Sequence, residues 1–305
     1  MLNKVKIMTV LICVIMLVSL IPGVGEPATV TVDCGSASLQ TAINSAASGT
    51  IISVSGTCNE NISISQSKNL ITIDGGGSAT INGVDSSKNS IDIKGRGIVI
   101  KKLTITGGRD GVFVNRGGTA TIDTNTIQNT GRKGINIGEN GYADIIGNTI
   151  QNNPSEGIGV SESSDAHIGF ITFQDTTAKP NTIKLNGANG IAVQRSSAAV
   201  IVGNKILNNT NEGIAVVRAS QADISKNTIN GNTSNGIVVD GNSGVNLGNF
   251  VGTTIFDLPN STTVKNGIYG GQCVFGGYVA GRLGTLNGVT QAAWGDDTCL
   301  ANLQP

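Results

Sequence analysis

One complete repeat and the start of the next lie in residues 134–160, GINIGENGYADIIGNTIQNNPSEGIGV. The alternation of β-branched with small or polar residues is typical of strands rather than helices. The opening glycine recurs at Gly111, Gly134, Gly157, Gly190, Gly213 and Gly236. These glycines are 23 residues apart, except for the 33 residues that separate Gly157 from Gly190. A fixed period in this range predicts a solenoid.

Four other columns keep the same register through five repeats. They are alanine at 120, 143, 166, 199 and 222, isoleucine at 122, 145, 168, 201 and 224, asparagine at 125, 148, 181, 204 and 227, and isoleucine at 127, 150, 183, 206 and 229. The ten extra residues therefore form a loop such as 170–180. A second loop of the same length is predicted at 249–259, three coils away on the same edge, so we expect the two loops to project together.

A period of 23 residues accommodates three short strands with turns, which stack in parallel on the same strands of the next repeat. The predicted fold is therefore an all-β parallel β-helix, with isoleucine in the interior and alanine where the coil turns. Weaker repeats near residues 50, 70 and 90 extend the array to about ten coils, a rod of roughly 48 Å.

The asparagine column Asn125, Asn148, Asn181, Asn204 and Asn227 predicts an inward ladder in which each side-chain amide bonds to the next coil. Asparagine also tolerates the left-handed backbone of a tight turn. The alternative is a row of exposed amides that binds sugar.

The predicted organisation has four parts. Residues 1–25 have a positive start, an apolar run of about 14 residues and small residues after it, as in a secretory signal peptide; an uncleaved anchor is the alternative. The N-terminal cap spans 26–49, the β-helix 50–269 and the C-terminal cap 270–305. We expect a secreted, periplasmic or cell-surface protein without a membrane span after signal cleavage.

Both caps are predicted to cover sheet edges that would otherwise promote aggregation. In the N-terminal cap, Leu39, Ala42, Ile43 and Ala46 have the spacing of an amphipathic helix, which Ser36 or Ser38 can cap. In an oxidising compartment the four cysteines of the mature chain favour local pairs, Cys34 with Cys58 and Cys273 with Cys299.

Composition excludes several function classes. The net charge is zero, which gives no electrostatic basis for binding nucleic acid. There is a single histidine, His167, so sites that need two histidines are excluded. Charged residues make up only 13% of the chain, but regularly spaced Ile, Val and Leu argue against disorder. No cofactor is predicted, and the oligomeric state is not specified by the sequence.

The repeats that run from Asn125-Thr-Ile-Gln-Asn to Gly134-Ile-Asn-Ile and from Asn148-Thr-Ile-Gln-Asn-Asn to Gly157-Ile-Gly-Val resemble those of right-handed parallel β-helices of the pectin-lyase-like superfamily. The resemblance covers about residues 50–270. It implies the fold but not one function, because this fold supports lyases, hydrolases, epimerases and adhesins. The Gly-His-Gly, Arg-x-Lys and Asp-Pro-His motifs of the enzymes in this superfamily are absent from the sequence.

Charges border the strand that follows each repeat glycine. The outward positions of that strand are expected to carry no acid: Phe113, Asn136, Gly159, Ala192, Ala215 and Val238. One border column reads Arg116, Glu139, Glu162, Arg195 and Arg218, and the other reads Asp110, Lys133, Glu156, Asn189 and Glu212. We interpret both as solvated ion-pair ladders. The alternative is a Ca²⁺ site between Glu139 and Glu162 with Arg195 nearby as a base.

His167 stands above Asp144 in one column, and such a pair can act as a general base with its orienting carboxylate. No nucleophile is placed beside it, so we interpret it as a surface pair at a turn. The leading functional hypothesis is therefore an exported, non-catalytic β-helix that is structural or binds glycans. The alternatives are a lyase or epimerase that acts on uronic-acid polymers, and an adhesin-like surface formed by the two loops.

Overall fold

The computed structural model describes residues 27–248 and 252–304. The predicted signal peptide at 1–25 and residues 249–251 of the second predicted loop lie outside these ranges. Among the described residues, no helix is long and apolar enough to span a bilayer.

Three parallel sheets form the walls of a right-handed β-helix, and most coils add one strand to sheets A, B and C in that order. The first coil adds a strand to sheet A only, and the coils after residue 240 add strands to sheets A and C only. Sheet A contains β1 (Thr29–Asp33), β2 (Ile51–Ser55), β5 (Thr72–Asp74), β8 (Ile98–Lys101), β11 (Thr119–Asp123), β14 (Tyr142–Ile146), β17 (Asp165–Ile168), β20 (Ala198–Val202), β23 (Gln221–Ser225), β26 (Gly244–Leu247), β28 (Tyr278–Arg282) and β30 (Leu300–Gln304). Sheet B contains β3 (Thr57–Cys58), β6 (Thr80–Gly83), β9 (Thr104–Gly107), β12 (Thr126–Thr130), β15 (Thr149–Gln151), β18 (Thr182–Lys184), β21 (Lys205–Leu207) and β24 (Thr228–Asn230). Sheet C contains β4 (Ile62–Ile64), β7 (Ile91–Ile93), β10 (Val112–Val114), β13 (Ile135–Ile137), β16 (Ile158–Val160), β19 (Ile191–Gln194), β22 (Ile214–Val217), β25 (Ile237–Val239), β27 (Tyr269–Cys273) and β29 (Gln291–Gly295).

The core follows the predicted columns. Ile122, Ile145 and Ile168 pair in register on consecutive strands of sheet A, and all three are fully buried. The repeat glycines lie where sheet B turns into sheet C. A Cβ on Gly134 would lie 2.5 Å from Ile150 Cγ2 and 2.7 Å from the carbonyl oxygen of Gly157. Glycine recurs in this column because two backbones pass too close together for a side chain.

The predicted asparagine ladder is confirmed. Each amide nitrogen donates to the next Oδ1, as from Asn125 to Asn148 at 3.0 Å and from Asn148 to Asn181 at 3.0 Å, and Asn260 extends the stack by one coil. All members are buried. A second buried ladder, which sequence analysis missed, joins Asn153, Asn186, Asn209, Asn232 and Asn266 at the turn from sheet B to sheet C.

The N-terminal end is covered as predicted. Helix α1 (Leu39–Ser45) buries Leu39 and Ile43, and Ser38 rather than Ser36 caps it by accepting a hydrogen bond from Thr41 N. The Glu60 carboxylate accepts a further bond from Leu39 N at 2.6 Å, which ties the helix to the first coil. The Cys34–Cys58 and Cys273–Cys299 disulfides are both formed.

The coil count was underestimated. Within residues 27–248 and 252–304 sheet A has twelve strands, so the rod has about twelve coils and is roughly 58 Å long, rather than ten coils and 48 Å. The segment 270–305, where we expected the repeat to be lost, continues the solenoid through β28, β29 and β30. In the isoleucine column of sheet A these strands carry Gly281 and Leu303, which is why the 23-residue pattern does not reveal them.

Candidate functional site

A trough crosses the outer face of sheet C. Its floor consists of the outward residues of β16, β19, β22 and β25, which are Gly159, Ala192, Ala215 and Val238. These side chains are small, and all four residues are buried. The walls are the side chains just before and just after each strand. The predicted outward register of this strand is therefore correct.

The downstream part of the trough, which lies towards the C-terminal coils, is lined by acidic and amide groups. Ser234 Oγ donates to Glu212 Oε1 at 2.8 Å, which holds that carboxylate on one wall. On the opposite wall, burial raises the pKa of Asp240, while Arg218 lowers it and the charge of Glu212 raises it further. Such groups suit ligands that offer many hydroxyl hydrogens.

Aromatic residues close the downstream end. Trp294 is the only tryptophan in the chain, and its side chain is 38% exposed. Its ring stacks on Tyr269 with centroids 5.7 Å apart, and Phe275 lies beside it with 71% of its side chain exposed. These rings provide flat apolar surfaces at the end of a polar trough.

A buried charged cluster occupies the upstream end. Asp110 is fully buried, and its carboxylate accepts two bonds from the Arg132 guanidinium, one from Lys133 N and one from Asn136 Nδ2. Four donors to one carboxylate fix its position and compensate for its burial.

Lys133 extends from this cluster over the trough floor. Its Nζ lies 3.8 Å from Glu156 Oε2, and a Cβ added to Gly159 would approach that Nζ to 2.7 Å. Burial lowers the pKa of Lys133, and the nearby Glu156 carboxylate partly opposes this shift. A neutral lysine in such a site can accept a proton.

Asn136, one of the outward residues of this strand, is buried rather than solvated. It is 6% exposed, because the side chains of the upstream cluster cover it, and its Oδ1 is buried with no hydrogen-bond partner among the described residues. The border column of Asp110 and Lys133 is likewise not a solvated ladder at these two coils. Sequence reasoning identified the column but had no signal for its burial, since the covering group Arg132 comes from a turn.

The other border column matches the ion-pair interpretation. Arg116 Nε lies 3.2 Å from Glu139 Oε2, and Arg195 Nη1 lies 3.6 Å from Glu162 Oε1, with all four side chains at least 43% exposed. The one group of three potential metal ligands in residues 27–248 and 252–304 is Cys34, Cys58 and Glu60, whose thiols form a disulfide.

His167 pairs with Asp144 in mid-strand, between β17 and β14, rather than at a turn. Its Nδ1 lies 3.2 Å from Asp144 Oδ1 and 2.8 Å from the Tyr142 hydroxyl oxygen. The imidazole stacks on Phe170, with the ring centroids 4.5 Å apart. The pair belongs to the outer face of sheet A and does not contribute to the trough.

The family model described as "Right handed beta helix region" matches residues 44–181 and 110–278, which together cover more than half of the chain. No curated protein matches the chain significantly.

Three solved structures are similar to this chain. Pectate lyase Pel9A has a TM-score of 0.61 at 15% identity, covering 93% of this chain and 80% of the lyase. A mutant of the periplasmic alginate epimerase AlgG has a TM-score of 0.57 at 14% identity, covering 84% of this chain and 62% of the epimerase. An alginate lyase from Paenibacillus sp. str. FPU-7 has a TM-score of 0.56 at 17% identity, covering 90% of this chain and 99% of the lyase. At these identities the similarity shows the fold alone.

Proposed function

The chain belongs to the right-handed β-helix family, and we propose that it binds an extended polysaccharide along the trough of sheet C. The observation that carries this proposal is the continuous floor of buried small residues across four consecutive strands, about 14 Å long. An extended chain lying across these strands meets hydroxyl-binding groups on both walls and the Trp294 ring at the end.

The charge of the walls favours a neutral polysaccharide. Glu212, Asp240 and Asp296 line the downstream part of the trough. Like charges facing each other across an interface oppose binding, so an anionic polymer is disfavoured there. Carboxylates are also strong acceptors for sugar hydroxyls.

Two disulfides support an oxidising location, which is extracellular, periplasmic or at the cell surface. The similar structures named as pectate lyase, alginate epimerase and alginate lyase act on polysaccharides by their names, and this supports the same broad ligand class. The non-catalytic role remains our proposal.

A second candidate, a lyase or epimerase acting on uronic-acid polymers, is supported by Lys133. Its amine, once neutral, would take the proton from the carbon beside a uronate carboxylate. In a lyase the released electron pair would form the new double bond and expel the glycosidic oxygen, while in an epimerase a proton would return from the opposite face. Lys133→Met should then abolish ultraviolet-absorbing product from alginate or polygalacturonate, whereas Lys184→Met on sheet B should not.

The decisive test uses the single tryptophan as a reporter of the trough. Titration of the mature protein with mannan or a soluble β-glucan should change the fluorescence of Trp294. Ala192→Leu fills the floor and should weaken binding by about tenfold or more, equivalent to ~1.4 kcal/mol. Thr182→Leu places the same leucine on the outer face of sheet B, away from the trough, and this variant should bind like the wild type. Binding that is unaffected by Ala192→Leu would refute the trough as the site.

A further inference from the structure

The two inserted loops meet over the outer face of sheet A, three coils apart along the rod. Phe256 of the second loop contacts both Phe170 and Phe173 of the first, at centroid distances of 5.0 and 5.3 Å. Phe170 is fully buried against Val202 and Ile255, which anchors the contact. The expectation that the loops project together is confirmed, and their contact fixes a small aromatic surface.

Each loop is also braced by the same short turn. Asp175 accepts hydrogen bonds from Ile171 N and from the Thr172 hydroxyl at 2.8 and 3.2 Å. In the second loop, Asp257 accepts from Thr254 N and from the Thr254 hydroxyl at 3.1 and 2.6 Å. A surface held by two braced loops needs little ordering when a ligand binds.

His167 lies beneath these loops with a fixed tautomer. Its Nδ1 lies 3.1 Å from the Ile171 carbonyl oxygen and 3.2 Å from Asp144 Oδ1, both of which only accept hydrogen bonds. Burial and the hydrogen bond to Asp144 raise the pKa of Tyr142, so its hydroxyl keeps its proton and donates it to that carboxylate. The Nδ1 atom therefore carries the imidazole hydrogen. The Nε2 atom has no hydrogen-bond partner among the described residues.

A groove runs beside the loops on the same face. His167, Ala198 and Val200 line it, with the exposed Gln221 and Asp223 as its polar members. It continues past Phe173, whose side chain is 61% exposed, towards Asn246, which donates to Asp223 Oδ1 at 2.7 Å. An aromatic face, a free imidazole nitrogen and carboxylate and amide groups thus converge on one small space.

We propose that this groove, defined by His167, Phe173, Val200, Gln221 and Asp223, is a second carbohydrate-binding site that takes one or two neutral pyranose units. The apolar C–H face of the sugar stacks on Phe173, a hydroxyl donates to His167 Nε2, and other hydroxyls bond to Gln221 and Asp223.

The occupant is inferred from size and chemistry. Specific protein–protein interfaces bury about 800 Å² on each partner. Here the exposed apolar surface consists of one phenylalanine with half-buried Phe256 and Val200 beside it, which is too small for such an interface. A pyranose ring combines an apolar face with a rim of hydroxyl donors, and acidic Asp223 disfavours an anionic sugar.

This site does not rest on the trough, because it lies on another sheet and in different residues. Together the two sites would let one rod hold two segments of glycan. Linked sites raise the apparent affinity for a polymer that reaches both, without any new contact.

The chain itself supplies separate reporters for the two sites, since it has one histidine in the groove and one tryptophan in the trough. Mannohexaose and cellohexaose, with oligogalacturonate as the anionic comparison, are titrated into the full mature protein. The ¹H–¹⁵N spectrum of the single imidazole is recorded together with tryptophan fluorescence. We expect the free protein to show the Nδ1–H tautomer, and a neutral hexasaccharide at millimolar concentration to shift the Nε2 signal.

Two matched variants test the assignment. Phe173→Ala should raise the dissociation constant obtained from the His167 signal by about tenfold, and it should leave the tryptophan response unchanged. Phe275→Ala removes a phenylalanine beside the trough that is 71% exposed, against 61% for Phe173, and should leave the His167 titration unchanged. A His167 signal that none of the neutral sugars shifts, or a Phe173→Ala titration identical to wild type, would overturn the second site. A tryptophan response without a His167 response would retain the trough and reject the groove.

Discussion

Replacing Asn148 by alanine tests whether the buried ladder stabilises the rod. Its Oδ1 accepts from the backbone and side-chain nitrogens of Asn125 at 2.9 and 3.0 Å. Its Nδ2 donates to the carbonyls of Ile122 and Ile146 and to Asn181 Oδ1 at 2.8 to 3.0 Å. These bonds are all buried, so water cannot readily replace the missing amide.

The expected loss in the free energy of unfolding of Asn148→Ala follows from the hydrogen-bonding groups that the substitution leaves without partners. The Asn125 backbone N–H loses its acceptor, and an unsatisfied buried donor costs about 1–3 kcal/mol. The other lost bonds raise the expected loss in the free energy of unfolding to about 2–4 kcal/mol. Gln151→Ala is the matched control from the same coil. Its amide donates to Gln128 Oε1 at 2.8 Å, but the side chain is only half-buried, so the loss should be within about 0.5 kcal/mol.

Denaturant unfolding followed by circular dichroism gives the stability difference between the two variants. Because a solenoid can unfold coil by coil, amide hydrogen exchange should also show faster exchange around residues 125–148 in Asn148→Ala. Equal and small losses for both variants would refute the claim that burial makes this ladder stabilising.

Three further outcomes are expected. Gly134→Ala should lower the free energy of unfolding by about 1–3 kcal/mol, as overpacking does, because the new Cβ would lie 2.7 Å from the carbonyl oxygen of Gly157. An unchanged melting temperature would contradict this. Reduction should lower the melting temperature, since each disulfide closes a short loop worth about 3 kcal/mol, and a thermal scan with and without reductant measures it. Calcium calorimetry should show no tight site at Glu139 and Glu162, because each carboxylate is already paired with an arginine; micromolar affinity lost on changing both to Gln would reverse this.

The fold was predictable because its period appears directly in the sequence. Columns such as Ile122 and Ile145 need only the spacing of 23 residues to be recognised, and the structure stacks them in register. The second ladder has the same spacing, in Asn186 and Asn209, but it lies within asparagine-rich turns that carry no strand pattern. The last coils were missed because Gly281 and Leu303 stand in the isoleucine column and give no isoleucine signal.

The candidate sites were predictable only in part. The column spacing put Lys133 beside the trough and His167 above Asp144, since both follow from strand register. The burial of these residues could not be predicted from the column spacing, because it depends on side chains that reach over from neighbouring turns, as Arg132 does over Asp110. The contact between Phe170 and Phe256 depends on how two loops fold back, and no periodic pattern encodes that.

The first ladder has a consequence for how this protein can change. The Asn125–Asn148 bond spans 23 residues and the Asn148–Asn181 bond spans 33, yet both measure 3.0 Å. An insertion at this turn therefore leaves the neighbouring coils in place, so the length of the loop can change without a change in how the coils stack. A lineage can acquire a new surface on sheet A in one insertion event. For the same reason, the short turn at Gly147 is a suitable position for grafting a foreign loop.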